Sequence, residues 1–213
     1  MAWDILDNDD LGADKILTTG TMNALYDNPT AQAKREANTP SFVQVPVLVK
    51  LTASSGNWTW PDGVTAATFW IQAPGGGGSG DSSDGGDGGD SSITYNSVTT
   101  TAEGGDGGED AGTGGLGGNG GGGDIYVSGR NTRTWFGADS FFGTGGVAAE
   151  RSPIQGGGGG GTFGGGGGEM VRIRVVRVNG MNSVAYVNGT AGASGAGAGN
   201  PQAGASGFII VEY

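Results

Sequence analysis

Hydrophobic and polar positions alternate in two separate parts of the chain. Residues 42–51 are rich in β-branched side chains, and the pattern resumes from Thr65 to Gln72 after a turn at Pro61-Asp62-Gly63. Pro46 lies within the first run and indicates an edge strand or a bulge, because proline cannot donate to a sheet ladder. We therefore expect strands in this region.

The same pattern returns near the carboxyl end of the sequence. Met170 to Val178 and Met181 to Val187 flank Asn179-Gly180, a strong signal for a type I′ hairpin. Residues 208–213 predict a last strand. Residues 41–74 and 169–213 are thus expected to form a small β-base.

The first 40 residues carry helix signals instead. Asn28-Pro29 fits an N-cap followed by proline at the first helical position and leads into residues 30–37. Met22, Leu25 and Tyr26 have helical spacing. Isolated helices this short are marginal in water, so residues 1–40 form either a docking segment for a larger assembly, which we favour, or a frayed terminus.

Residues 75–168 hold 38 of the 50 glycines and have a period of three. Three residues per turn is the period of the polyproline II helix, which contains no internal hydrogen bonds. One column of side chains then faces solvent, and the other two columns are bare backbone. The acidic columns are Asp81, Asp84, Asp87 and Asp90, followed by Glu103, Asp106 and Glu109.

Two interpretations of this glycine zone compete. Ordering 38 glycines costs roughly 40–80 kcal/mol, whereas a net hydrogen bond contributes only about 0.5–1.5 kcal/mol, which favours a disordered linker. A linker does not require regular acidic columns, however, and bare glycine lets neighbouring backbones approach closely. We therefore predict a mostly β and polyglycine II fold: a β-base, a packed bundle with loops over 75–168, and short N-terminal helical segments.

Composition excludes several classes of protein. The 50 glycines do not recur at every third position with abundant proline, so collagen is excluded. A net charge of −11 makes nucleic acid a poor partner, and no apolar stretch is long enough for membrane insertion. The acidic start resembles no signal peptide.

Catalytic and cofactor motifs are missing from the sequence. It contains no Cys and no His, and no glycine-rich run ends in the Gly-Lys-Ser/Thr of a phosphate-binding loop. Spaced carboxylates could bind Ca²⁺ weakly, but one column holds them too far apart to share an ion. Asp124, Asp139 and Glu150 have no pattern that marks a glycosidase pair. We expect no enzyme, no cofactor and no metal site.

Two inserts interrupt the glycine zone and carry the candidate recognition residues. Residues 124–155 combine aromatic side chains with arginines, the residue types of binding hot spots, although residues 125–127 and some aromatics could instead form local core. Residues 91–102 read as a polar loop. The candidates for receptor binding are Tyr95, Arg130, Arg133, Trp135, Phe136, Phe141 and Phe142.

Several framing motifs, in order, resemble those of glycine-rich domains in bacteriophage tail-fibre proteins. They are residues 51–64, 73–78, 122–129 and 207–213, and residues 25–31 resemble a segment near the start of phage structural proteins. The resemblance covers 41–213 well and the amino-terminal part weakly.

This resemblance implies a virion fibre or spike component that acts in host adsorption. It also implies a sandwich of polyglycine II helices, as in the glycine-rich tip adhesins of T-even-like phages, whose loops meet the host surface. The implied partners are other virion tail or fibre proteins, a host-surface protein or glycan, and further copies of the chain, since phage fibres are commonly homotrimers. The alternatives are a purely structural head or tail decoration and an enzyme that degrades surface polysaccharide.

Overall fold

The computed structural model describes residues 46–110, 112–132, 135–146 and 156–213. Within these ranges the chain forms nine β-strands and no helix, so the expectation of a mostly β protein is confirmed. Residues from Val47 to Tyr213 belong to one compact unit. The helical segments expected within 22–37, and the first part of the strand expected from residue 42, lie outside the described residues.

Five strands form one antiparallel sheet, here called sheet A, with the order β1-β9-β3-β7-β6. Its strands are β1 (Leu48–Leu51), β9 (Phe208–Glu212), β3 (Ala66–Gln72), β7 (Met170–Val176) and β6 (Ile125–Val127). The central strand β3 pairs along its full length with β7, from Ala66 opposite Val176 to Gln72 opposite Met170.

The other four strands form sheet B, with the order β2-β8-β4-β5. They are β2 (Ser55–Thr59), β8 (Ser183–Val187), β4 (Ser91–Tyr95) and β5 (Val98–Ala102). The hairpin predicted at Asn179-Gly180 is not formed: these residues make a turn between β7 and β8, but β7 lies in sheet A and β8 in sheet B, so the two strands do not pair. The turn is not of type I′, because Gly180 has a φ of 85° whereas Asn179 does not have a positive φ.

The hydrophobic core lies between the two sheets. Sheet A contributes alternate residues of its central strands, and Phe69, Ile71 and Ile209 are fully buried. Sheet B contributes Ile93 and Trp58, whose ring meets Phe69 edge-on with centroids 5.5 Å apart. The inward alternation that the sequence pattern predicts is thus the alternation that builds this core.

Two parts of the glycine zone differ from expectation. Residues 91–102 are not a loop but a β-hairpin, β4 and β5, whose turn residues Asn96 and Ser97 both have positive φ. Residues 125–127 do not form local core, because all three side chains of β6 are exposed at the edge of sheet A.

The rest of the glycine zone consists of extended tracts that are neither helix nor strand and that bond to one another through their backbones. Residues 189–207, expected to be part of the β-base, belong to this bundle as well. Residues 74–80, here called the central tract, donate and accept backbone hydrogen bonds with six other tracts. Those tracts are 83–86, 105–108, 159–162, 163–166, 192–195 and 202–205. Each of the six contributes bonds spaced by three residues, as when Gly75 donates to Ala205 and Gly78 donates to Gln202.

This close packing explains why glycine is required in the central tract. A Cβ built on Gly77 would overlap the carbonyl oxygen of Ala193, and one on Gly76 would overlap that of Asp106. Every residue from Gly75 to Gly80 is buried. Ser79 is the one residue between Gly75 and Gly80 that is not glycine. Its side chain is accommodated because the hydroxyl accepts a hydrogen bond from the N–H of Phe163 at 3.1 Å.

Candidate functional site

Most consecutive tracts run in opposite directions, so every second turn lies at the same end of the bundle. Residues 202–205 pair with the central tract in opposite directions, whereas Gly192 and Gly195 pair with Gly75 and Gly78 in the same direction. Among the described residues, five turns lie at the end of the bundle away from the β-base, here called the tip. Their described residues are 80–83, 109–110 with 112–113, 132 with 135–136, 161–163 and 196–201.

Side-chain and backbone hydrogen bonds tie these turns to one another. The Asp81 carboxylate accepts from the N–H of Ala198 at 2.7 Å, and Ser83 Oγ accepts from the N–H of Ala196 at 2.7 Å. Ser79 Oγ donates to the Glu109 carbonyl at 3.3 Å. These hydrogen bonds connect neighbouring turns, so the tip forms one platform.

Two of the sequence-predicted candidates lie on this platform. Trp135 is 61% exposed and Phe136 is 57% exposed. Their backbones are fixed, because the Trp135 carbonyl accepts from the N–H of Gly161 and the Phe136 carbonyl accepts from Thr132 Oγ1 at 2.6 Å. Large aromatic side chains held exposed on an ordered backbone are suited to binding another surface.

Two other candidates lie at the opposite end of the bundle. Phe141 and Phe142 occupy the turn at 140–143, where the ring of Phe142 packs on Phe208 of strand β9 with centroids 5.2 Å apart. The Lys50 amine lies over the same Phe208 ring, 5.3 Å from its centroid. These phenylalanines therefore belong to the junction between bundle and β-base and not to the tip.

The remaining candidates are spread over the molecule. Arg130 is exposed on an outer tract and forms an ion pair with Asp139 at 3.5 Å. It borders a surface depression of about 690 Å³, which Leu116, Asn119, Ser128 and Asn131 also line. Tyr95 is half-buried in β4 and packs against the core. Arg133 lies outside the described residues.

The acidic columns have a structural role that the sequence did not reveal. Asp84, Asp87 and Asp90 are exposed, and each accepts a hydrogen bond from a backbone N–H of the neighbouring outer tract: Asp110 at 2.7 Å, Gly107 at 2.8 Å and Gly104 at 3.1 Å. Outer tracts lack a further tract to bond with, so short carboxylate side chains satisfy their amides.

Carboxylates are crowded on this side of the bundle. Partial burial, together with the nearby charges of Asp87, Glu103 and Glu109, raises the pKa of Asp106 above its ordinary value. Among the described residues, however, no group of three or more acidic side chains is placed to hold a metal ion.

A buried carboxylate fixes the junction between the bundle and β7. Glu169 is fully buried and accepts backbone hydrogen bonds from Glu103 and Gly120 at 3.0 Å and from Gly121 at 2.9 Å. Gln72, also fully buried, donates to the carbonyls of Gly168 and Glu169. Neither residue faces the surface, so both serve the fold and not a binding site.

Comparison with known proteins gives no relative: no protein-family model matches the chain, and the search of curated proteins found no significant match. No helix among the described residues is long and apolar enough to cross a membrane.

Proposed function

We propose that this chain is a non-enzymatic component of a bacteriophage virion, a tail fibre or spike protein that attaches the particle to the host surface. The observation that carries the proposal is the tip, where five turns converge on a rigid bundle and present Trp135 and Phe136 to solvent. Binding residues commonly lie on loops that a rigid scaffold positions.

The glycine tracts are, in this proposal, polyglycine II helices. Support comes from the three-residue spacing of their hydrogen bonds, from the six neighbours of the central tract and from the absence of space for a Cβ at Gly76 and Gly77. A crystal structure should give these tracts φ near −75° and ψ near +145°. Tracts with irregular dihedral angles would overturn this part of the proposal.

The remaining roles follow from the resemblance to phage tail-fibre domains. Residues 1–40 dock the chain to other tail or fibre proteins, the chain forms a homo-oligomer, with a homotrimer as the expectation, and a host-surface protein or glycan is the receptor. The site of action is the virion.

Substitution at the tip tests attachment without removing any tract. Particles carrying Trp135→Ser and Phe136→Ser together should assemble with the normal amount of this chain but adsorb poorly to host cells. The matched control is Phe141→Ser, which removes a similarly exposed aromatic ring from the opposite end and should leave adsorption unchanged.

The same experiment separates the alternative roles. Normal adsorption by the tip variant would refute attachment through Trp135 and Phe136. If such particles also lose resistance to heat, the chain is a structural decoration. Release of reducing ends from host glycan by the purified protein would instead show an enzyme.

A further inference from the structure

The outer faces of the two sheets differ in chemistry. The outer face of sheet B is neutral and rich in hydroxyls, and Thr94 and Thr99 form a cross-strand hydrogen bond there at 3.0 Å. The outer face of sheet A instead carries Trp70, Ile210 and Leu48, of which Leu48 is 66% exposed. Trp70 and Ile210, in the middle of this face, are half-buried, and Phe142 packs on Phe208 at one end of it.

Positive charge is concentrated on this face of an otherwise acidic molecule. Lys50, Arg172 and Arg174 have the strand parity of Trp70 and Ile210, so all point away from the core. None of these three cations forms an ion pair with a described residue. Two carboxylates lie nearby, and each accepts a hydrogen bond from a neutral donor: Glu212 from Trp70 Nε1 at 3.2 Å and Asp124 from the backbone N–H of Arg174 at 2.7 Å. The three cations therefore outnumber the carboxylates.

The centre of the face is already ordered. The Arg172 guanidinium lies over the Trp70 ring, 5.1 Å from its centroid, in a cation–π contact. Tryptophan and arginine are the residue types that carry most binding energy at protein interfaces. Because these two side chains are already ordered before a partner binds, binding costs less side-chain conformational entropy.

The size of the face limits what can occupy it. Its five strands contain 26 residues, which at about 3.3 Å per residue and about 4.8 Å between strands give roughly 400 Å². A stable interface between folded proteins buries about 800 Å² on each side. The face therefore suits an extended segment better than a second folded copy of this chain.

We propose that the outer face of sheet A binds an extended acidic segment of a partner protein. Carboxylates of the segment pair with Lys50, Arg172 and Arg174, and its apolar side chains cover Trp70 and Ile210. This site is separate from the tip and does not depend on the virion role proposed above.

The test uses the full chain and a short fluorescein-labelled peptide of alternating Glu and Leu, with binding followed by fluorescence anisotropy at low salt. The peptide should bind saturably, and its counterpart with Lys in place of Glu should not. Arg174→Glu should weaken binding about tenfold or more, because it replaces attraction with repulsion. The matched control Arg130→Glu makes the same charge change on an outer tract and should leave binding unchanged.

Several results would overturn the proposal. They are absence of binding, equal weakening by Arg130→Glu, or binding that Arg174→Glu does not alter. Phosphatidylglycerol vesicles that bind through Arg174 while the peptide does not would assign the face to anionic lipid. A dimer in sedimentation that Arg174→Glu dissociates would assign it to a second copy.

Discussion

Individual residues in this protein are constrained by backbone proximity more than by side-chain packing. In the central tract a single methyl group has no room, because carbonyl groups of adjacent tracts occupy the position of the missing Cβ. Glycine is therefore required here for close approach, while most of these positions have ordinary negative φ values.

Gly77→Ala should accordingly destabilise the protein by about 3 kcal/mol or more, the upper range for overpacking, since backbone must move to relieve the overlap. Urea unfolding measures the loss. Gly89→Ala is the matched control: the nearest atom to its added Cβ is the Thr190 nitrogen at 3.2 Å, so we expect a loss below about 1 kcal/mol. Equal losses at both positions would contradict this account of the tracts.

A second residue-scale effect depends on pH. The raised pKa of Asp106 means that the folded chain holds this proton more tightly than the unfolded chain does. The resulting stabilisation is complete below the ordinary aspartate pKa of about 3.9 and is lost as the pH rises through the higher folded value.

Asp106→Asn should therefore raise the melting temperature at pH 7, and the difference from the unsubstituted protein should vanish at low pH. The control Asp62→Asn removes the same charge from the Pro61-Asp62-Gly63 turn of the β-base, away from the acidic column, and should not raise the melting temperature at pH 7. A gain for Asp106→Asn that persists unchanged at low pH would be inconsistent with a protonation effect.

At the scale of elements, the outer tracts depend on side chains for hydrogen bonds that inner tracts obtain from backbone. The Asp87 carboxylate, for example, accepts from the N–H of Gly107, which is itself buried. The acidic columns thus complete the bundle in addition to keeping it soluble.

Asp87→Ala should leave the Gly107 N–H without an acceptor and destabilise the protein by about 1–3 kcal/mol. Hydrogen exchange at the Gly107 amide should accelerate. Asp87→Asn retains an acceptor oxygen and should preserve most of the protection. If the Gly107 amide exchanges at the same rate in both variants, the carboxylate is not its partner in solution.

The sequence predicted those strands whose inner faces are apolar. The strand predicted for Met170 to Val178 is observed as Met170–Val176, because its alternating apolar residues face the core. The hairpin of β4 and β5 was missed because serine and threonine dominate it. The β-branched threonines at 99–101 and the Asn96-Ser97 pair were the available signals.

The candidate site was only partly predictable. The sequence marked the exposed aromatics, but a period of three does not encode which tracts become neighbours. It therefore could not separate Trp135 at the tip from Phe141 at the junction, or show that Tyr95 packs against the core. The positive charge on the outer face of sheet A was also not predicted, since the residues that carry it come from strands far apart in sequence.

At the scale of the whole molecule, bundle and β-base form one structure because the chain passes repeatedly between them. Strand β3 continues into the central tract, and residues 202–207 continue into β9. We expect the two parts to unfold together.

Ile71→Ala tests this coupling, because Ile71 is fully buried in the base and its truncation should cost about 2–5 kcal/mol. The loss should appear equally in the hydrogen-exchange stability of the Ile209 amide in the base and of the Gly77 amide in the bundle. Val187→Ala, at an exposed position of sheet B, should change neither. Retained protection at Gly77 would show that the bundle is stable on its own.

The arrangement of the central tract also sets the order of assembly during synthesis. Gly75 bonds to Gly192 and Ala205, which leave the ribosome long after it does. Contacts this distant in sequence form slowly. The glycines of the central tract therefore remain solvent-exposed and unpaired with these partners in the nascent chain until residues 202–205 have been translated.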